Sequence, residues 1–382
     1  MNPPRIRRRL GALARVVAAV GLSACGDDDD SSSATTPDTD AAAVTTEAGA
    51  ATTPGGTDAT SEPTSDGSAP AADVELPDTI TIGYQLIPNG DLIVKSEGWL
   101  EAAFGPDVTV EWKLFDSGGA VNEAIIAGGI DIGLAGSSPV SRGISNGIEY
   151  QVPWIFDVIG EAEALVVRAD AGIASVADLA GKTVATPFAS TAHYSLLAAL
   201  QDAGLDAGDV NVIDAQPDAI YASWQNGDID AAYVWNPNLA KLIAEGGEVL
   251  ITSAELAAQG KTTYDLAVVT NEFAEQFPGA LQLWVDAQDR AVTLLNDDPA
   301  AAGEILAAEL NITPEEATAQ AADLIFVPAA EQAGEDYLAG GLPTNLFAAA
   351  EFNQELGEIE TVQPEQAYVD AVVPDFAAAV GE

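Results

Sequence analysis

Cysteine, histidine and methionine occur once each in a chain of 382 residues. A lone cysteine, Cys25, cannot form an intramolecular disulfide. If Cys25 carries a lipid, the folded part has no thiol, and thiolate metal sites and cysteine nucleophiles are excluded too. A lone histidine, His193, leaves no H-E-x-x-H pair. Neither a G-x-G-x-x-G turn nor a phosphate-binding P-loop is present, so no metal and no cofactor is expected. Positive charge is scarce as well, with 13 Lys and Arg against 60 Asp and Glu and a net charge of −47. Five of the cations precede Cys25, and every acid follows it. Such a surface repels nucleic acid and anionic membranes, and salt screens its self-repulsion. The acid excess is read as a solubility feature.

What is there begins with an address. Residues 1–24 carry Arg5, Arg7, Arg8 and Arg9, then an apolar run from Leu10 that closes on Leu22-Ser23-Ala24-Cys25. That is the layout of an export signal, and its end resembles a bacterial lipobox with Cys25 as the lipidated residue. The run is shorter than the about 20 apolar residues a membrane span needs and contains Arg15. Residues 25–77 are mostly Ser, Thr, Ala, Asp, Gly and Pro, which bury too little apolar surface to fold. They are expected to form a lipid-anchored flexible linker with a reach of roughly 40 Å. The expected location is extracytoplasmic, on the cell membrane, where two or more acyl chains give a stable hold.

From Asp78 onward short apolar runs alternate with helical periodicity. Strands are predicted over 79–85, 108–115, 131–135, 152–159, 164–168, 183–186, 210–213, 231–235, 249–252 and 266–270. Helices are predicted between them, among others over 120–127, 192–203 and 239–245. The alternation argues for an α/β fold with parallel sheet built from βαβ units. Beyond 271 the chain is Ala- and acid-rich and reads as helical. Thr313-Pro314-Glu315-Glu316 places proline at the first helical position and acids in the first turn. The extended runs 165–168 and 266–270 are read as two crossovers. One lobe would then comprise 78–168 plus 266–382 and the other 169–265. Crossing twice makes a hinge suited to closure around a ligand.

Three strand ends share one grammar. Phe115-Asp116-Ser117-Gly118-Gly119, Ala135-Gly136-Ser137-Ser138-Pro139 and Phe188-Ala189-Ser190-Thr191 each pass from strand to helix through small hydroxylated residues. Ordinary N-capping explains any one of them. Three together supply N–H and O–H donors for an oxyanion without Lys or Arg. His193 sits in the first turn after the third and is either a further donor or a packed polar group. Trp235 and Asn236 end another strand before Pro237; the indole is either core or the wall for an alkylammonium. Glu163 and Asp265 flank the crossovers, either as solvated acids or as partners for an ammonium. Gly143-Ile144-Ser145-Asn146-Gly147 matches G-x-S-x-G, but no strand precedes Ser145 as a nucleophile elbow requires, so an envelope lipoprotein hydrolase is rejected.

The segments PFASTAHYSLLAAL (187–200), QPDAIYASWQNGDIDAAYVWNP (216–237), KLFDSGGAV (113–121), LAGSSPV (134–140) and EALVVRAD (163–170) carry a resemblance. They resemble the taurine binders within the nitrate/sulfonate/bicarbonate-binding family of periplasmic proteins that serve ABC importers. The resemblance implies a type II periplasmic-binding-protein fold, two α/β lobes joined by a two-strand hinge. It implies a monomer that binds without catalysis and delivers its ligand to membrane permease subunits. Taurine or a small alkanesulfonate is the implied ligand; longer aliphatic sulfonates, nitrate and a thiamine-precursor pyrimidine are the alternatives within the fold. Ser117, Gly118, Ser137, Ser138, Thr191 and His193 would look to the sulfonate, and Glu163, Trp235 and Asp265 to the ammonium. Ser190, Asn236 and Gln85 complete the candidate set, although 86–100 departs from the taurine binders.

Overall fold

Residues 74–381 are described by the computed structural model, and they carry twelve strands. In chain order these are β1 (Thr79–Tyr84), β2 (Thr109–Leu114), β3 (Ile132–Gly136), β4 (Tyr150–Gln151), β5 (Ile155–Ile159), β6 (Glu163–Arg168), β7 (Thr183–Thr186), β8 (Asn211–Asp214), β9 (Ala231–Trp235), β10 (Gly247–Thr252), β11 (Thr263–Thr270) and β12 (Leu324–Ile325). The first sheet has the order β12-β5-β11-β3-β1-β2, with β4 on β11, and the second has the order β10-β6-β9-β7-β8. The expected segment 1–24 and all but the last four residues of the expected linker 25–77 lie outside the described residues. No helix among the described residues is long and apolar enough to cross a membrane.

Burial explains which runs became which strands. All five residues of β3 and seven of the eight in β11 are buried. Strands covered on both faces read as continuous apolar runs. β2 lies at the edge of its sheet, and Glu111, Lys113 and Leu114 on it are exposed. Charges on an outer strand discourage pairing with another chain.

The sheets differ from the expected parallel array. β1, β2 and β3 are mutually parallel, as are β7, β8 and β9. β11 and β12 run against the first set and β6 against the second, so the pairings of β11 with β3 and β5, of β12 with β5, and of β6 with β9 and β10 are antiparallel. The reason lies in the chain path for two of them: β6 and β11 are the first strands after a passage between lobes, and no βαβ crossover within their own sheet precedes them. The expected crossovers are also displaced. Run 165–168 lies within β6 of the second sheet and run 266–270 within β11 of the first. Apolar runs this continuous belong at sheet centres. The passages are instead the short stretch 160–162 and the stretch from helix Ser253–Ala257 to β11. Backbone bonds tie them together: Ala254 N to Gly160 O at 3.0 Å, Asn236 N to Ala162 O at 2.9 Å and Glu161 N to Asp323 O at 3.0 Å.

The C-terminal third is helical, as expected, and packs on the first lobe. Helix Pro278–Asp297 buries Trp284 edge-on against Phe156 of β5, with ring centroids 5.8 Å apart. Thr313 and Glu316 form a reciprocal cap on helix Pro314–Ala321. Ser145 ends helix Ser137–Ser145, gives its hydroxyl to Ser141 O at 2.8 Å and meets Tyr368 Oη at 2.7 Å. Helix, not strand, precedes it, so no nucleophile elbow exists there.

One C-terminal side chain stitches directly to β5. The fully buried Gln332 amide accepts from Ile155 N at 2.8 Å and donates to Ile155 O at 2.9 Å and Val327 O at 2.8 Å. Replacing it strands a backbone N–H and two carbonyls away from water. Gln332→Ala is expected to destabilise the protein by roughly 2–4 kcal/mol, measured by chemical denaturation.

Candidate functional site

Between the two sheets lies a cavity. Gln85, Ile87, Pro88, Gly118, Gly136, Pro139, Ile159, Asp265 and Leu324 line it from the first lobe, and Glu163, Ser190, Thr191, Trp235 and Asn236 from the second. The carboxyl ends of β1, β3 and β9 meet here, the place where open α/β sheets hold ligands. Thus eight of the twelve sequence-predicted residues converge on one space.

Three helices begin at this cavity: Gly118–Ile126, Ser137–Ser145 and Thr191–Asp202. The first four N–H groups of a helix have no partner within it. Ser117 makes no capping bond with its side chain, and Gly136 has no side chain to make one. Their first-turn amides are therefore open to an anion. Gly118 is required by packing, since a Cβ there would lie 2.7 Å from Pro139 Cγ. Ser190 differs: its hydroxyl donates to Pro187 O at 2.6 Å and accepts from His193 N at 3.1 Å, so it works as an N-cap.

The other feature of the cavity is negative charge with no cationic side chain in the lining among the described residues. Glu163 is 1% exposed. It accepts hydroxyl hydrogen bonds from Thr191 at 2.6 Å, Ser253 at 2.8 Å and Ser195 at 3.4 Å. Tyr233 Oη stands 3.1 Å from Ser253 Oγ; with the Ser253 proton given to Glu163, the phenol is the donor. Burial pushes the Glu163 carboxyl up to about 7 against the pull of the three hydroxyls. Asp265 is pushed well above the usual carboxylate range by burial, then by Asp157 and Glu163. Asp157 on β5 is raised by burial in the same way. Asp157, Ser195 and Ser253 escaped the sequence reading. Asp157 is a lone acid inside the apolar strand Ile155–Ile159, and Ser195 shares the Thr191 face at i+4; both were visible signals. Ser253 gave none.

Four candidates lie outside the lining. Ser117 is buried at its N-cap. Ser137 Oγ accepts from Tyr264 N at 3.2 Å, and Ser138 Oγ lies 3.5 Å from Asn353 Nδ2. His193 stacks on Phe188 with centroids 4.4 Å apart, and its Nδ1 lies 3.8 Å from Glu358 Oε2. Burial lowers its pKa, and Glu358 opposes that. The same Glu358 accepts from Arg142 at 3.0 Å. His193 therefore belongs to a contact between the second lobe and the segment after helix Gly341–Glu355. Asn236 lines the cavity, but its amide is engaged, donating to Asp323 at 3.0 Å and accepting from Ala240 N at 3.2 Å. Gln85 donates to Leu134 O at 3.0 Å. Across the cleft Gly136 meets Thr191 so closely that a Cβ would fall 2.5 Å from Thr191 Cγ2.

The raised Glu163 pKa fixes a pH response. The folded protein binds this proton more tightly than the unfolded chain, so its contribution is complete below the ordinary value of 4.5 and lost as pH rises through about 7. Asp91, raised by burial to about 7, acts in the same direction. The melting temperature of the ligand-free protein is expected to fall between pH 5 and 8. Glu163→Gln should remove on the order of 3 kcal/mol of that dependence, read from circular-dichroism melts across the range.

The cavity and its frame have known counterparts. The pattern of the family described as "NMT1/THI5 like" matches residues 92–302, more than half of the chain. The taurine-binding periplasmic protein of Escherichia coli is 38% identical over 213 residues, which is 55% of this chain and 65% of that protein, just under two thirds of its length. The alkanesulfonate-binding protein of Xanthomonas axonopodis pv. citri bound to MOPS superposes with a TM-score of 0.65 at 23% identity, covering 78% of this chain and 98% of that one. The periplasmic aliphatic sulphonate binding protein of Escherichia coli gives 0.64 at 22% identity, covering 79% and 99%. At such identities the likeness speaks to the fold, a two-lobed periplasmic-binding-protein architecture. The matched stretch contains Gly118, Gly136, Glu163, Thr191, Trp235 and Asp265, and the chain belongs to the NMT1/THI5-like family.

Proposed function

We propose that this protein is an extracytoplasmic, lipid-anchored solute-binding protein of an ABC importer that holds taurine, or a small alkanesulfonate with an amino group, between its lobes and hands it unchanged to a permease. Cys25 is the proposed lipidation site, and the protein acts as a monomer. The observation that carries the reading is the polarity of one cavity. Unclaimed helix amides from Gly118 and from the turn at Gly136–Pro139 suit a sulfonate, while Glu163 and Asp265 are buried acids awaiting a cation. A zwitterion supplies both charges on one small molecule. Trp235 offers an apolar face for the two-carbon chain between them. The similarity to the taurine-binding periplasmic protein of Escherichia coli supports the same ligand class.

Nitrate fits less well, since it neutralises the amides and leaves both carboxylates without a partner. A plain alkanesulfonate shares that defect. Discrimination therefore tests the reading. In calorimetric titration of the full chain, taurine is expected to bind at least about a hundredfold more tightly than ethanesulfonate, because losing the ammonium strands a buried charge. Equal affinities would remove the ammonium site, and absence of binding by both would remove the proposal. Trp235→Ala is expected to cost about tenfold in taurine affinity. Cys25→Ala is expected to move the chain from the membrane fraction to the soluble fraction, followed by immunoblot.

A further inference from the structure

Asp265 lines the cavity, and the residue opposite it in the β5–β11 pairing is Asp157. Directly opposed residues of an antiparallel pair project from one face with Cβ atoms about 4.5–5.5 Å apart. Both side chains are buried, Asp157 completely. Asp157 is absent from the cavity lining and adjoins it through Asp265. Asn89 Nδ2 donates to Asp157 Oδ2 at 3.2 Å, and Asp157 Oδ1 is left with no donor. The register sets the two carboxyl groups side by side, and the Asp157 carboxyl is one of the causes that raise Asp265. Carboxylates only accept, so a bond between two carboxyl groups needs a proton on one of them. Two ionised acids at this spacing, away from water, repel strongly.

We infer that Asp157 and Asp265 share one proton at neutral pH. Asp157 is a positioning residue whose Oδ1–H fixes the Asp265 carboxylate toward a cationic group in the cavity. Asn89 donates to Oδ2, so Oδ1 is the oxygen left to meet Asp265, with the shared hydrogen between the two. The orienting role, though not the shared proton, rests on the aminosulfonate reading of the cavity. Other polar groups around the pair are few. Glu163 faces it from β6 and is itself held by Thr191, Ser195 and Ser253, with Tyr233 of β9 behind. Tyr264 neighbours Asp265 on β11, and Asp323 beside β12 is engaged by Asn236. With the pair singly protonated, the three acids present at most two negative charges to a ligand, so one ammonium faces a smaller excess of charge.

The test compares the full chain with Asp157→Asn and Asp157→Leu. Asparagine copies the protonated acid, since its amide can donate to Asp265 as the hydroxyl did. In taurine titrations at pH 7, Asp157→Leu is expected to lose about tenfold or more in affinity and Asp157→Asn to recover to within about threefold of the parent. A tenfold loss in Asp157→Asn, in a variant whose circular dichroism is unchanged, would show that Asp157 acts as an ionised carboxylate and would overturn the proposal. So would an Asp157→Leu variant that binds like the parent. The second readout needs no ligand. The shared proton makes the ligand-free melting temperature fall as pH rises from 6 to 9, and Asp157→Asn should reduce that slope, leaving the part due to Glu163 and Asp91. Identical slopes would refute the shared proton. If taurine fails to bind the parent chain, the function reading falls and with it the orienting role, while the melting comparison still decides the proton.

Discussion

Negative charge buried with no cationic partner among the described residues is the constraint around which this structure is arranged. Glu163, Asp157 and Asp265 lie close together where the two sheets meet, with hydroxyls and one amide for company. Unpaired buried acids are costly to keep. The surrounding architecture limits that cost in two ways. Thr191, Ser195 and Ser253 solvate Glu163 from two helices of the second lobe, while the β5–β11 pairing fixes Asp157 opposite Asp265 and the β6–β9 pairing fixes Glu163 opposite Trp235. These same strands run beside the two passages of chain between the lobes. Ligand chemistry and hinge are thereby built from one set of residues, so a cation entering the cavity acts directly on the elements that set the spacing between lobes.

Much of the frame was legible because each cue was local. β7 and β9 fall at the positions predicted, and the helices after Ser117, Ser190 and Pro237 begin within two residues of expectation. Strand-end turns rich in Gly, Ser and Thr announced the cavity, because close backbone approach and free amides restrict those positions to small residues. The direction of the antiparallel strands was not legible. A run such as LAVVT reads alike in either direction, and only the path of the whole chain decides it.

The site residues divide along the same line. Gly118, Thr191, Trp235, Glu163 and Asp265 were found because they stand at strand ends or beside the crossings. Asp157 was passed over although an acid inside IFDVI is conspicuous, since its meaning depends on a partner 108 positions away across the sheet. His193 drew notice as a unique residue, yet its neighbours Phe188 and Glu358 give it work outside the cavity. Rarity in a sequence marks a residue without saying what it touches. Leu324 and Gln332 carried no cue, because the helical third reads only as amphipathic.

The meeting of Gly136 with Thr191 has an evolutionary corollary. Main chain from one half rests on a methyl from the other, leaving no slack for even one added carbon. How far the halves shut is thus set by atoms that few substitutions can adjust. Relatives that select molecules of other lengths would have to reshape the chamber through side chains such as Trp235, Ile87 and Leu324, keeping the stop itself in place.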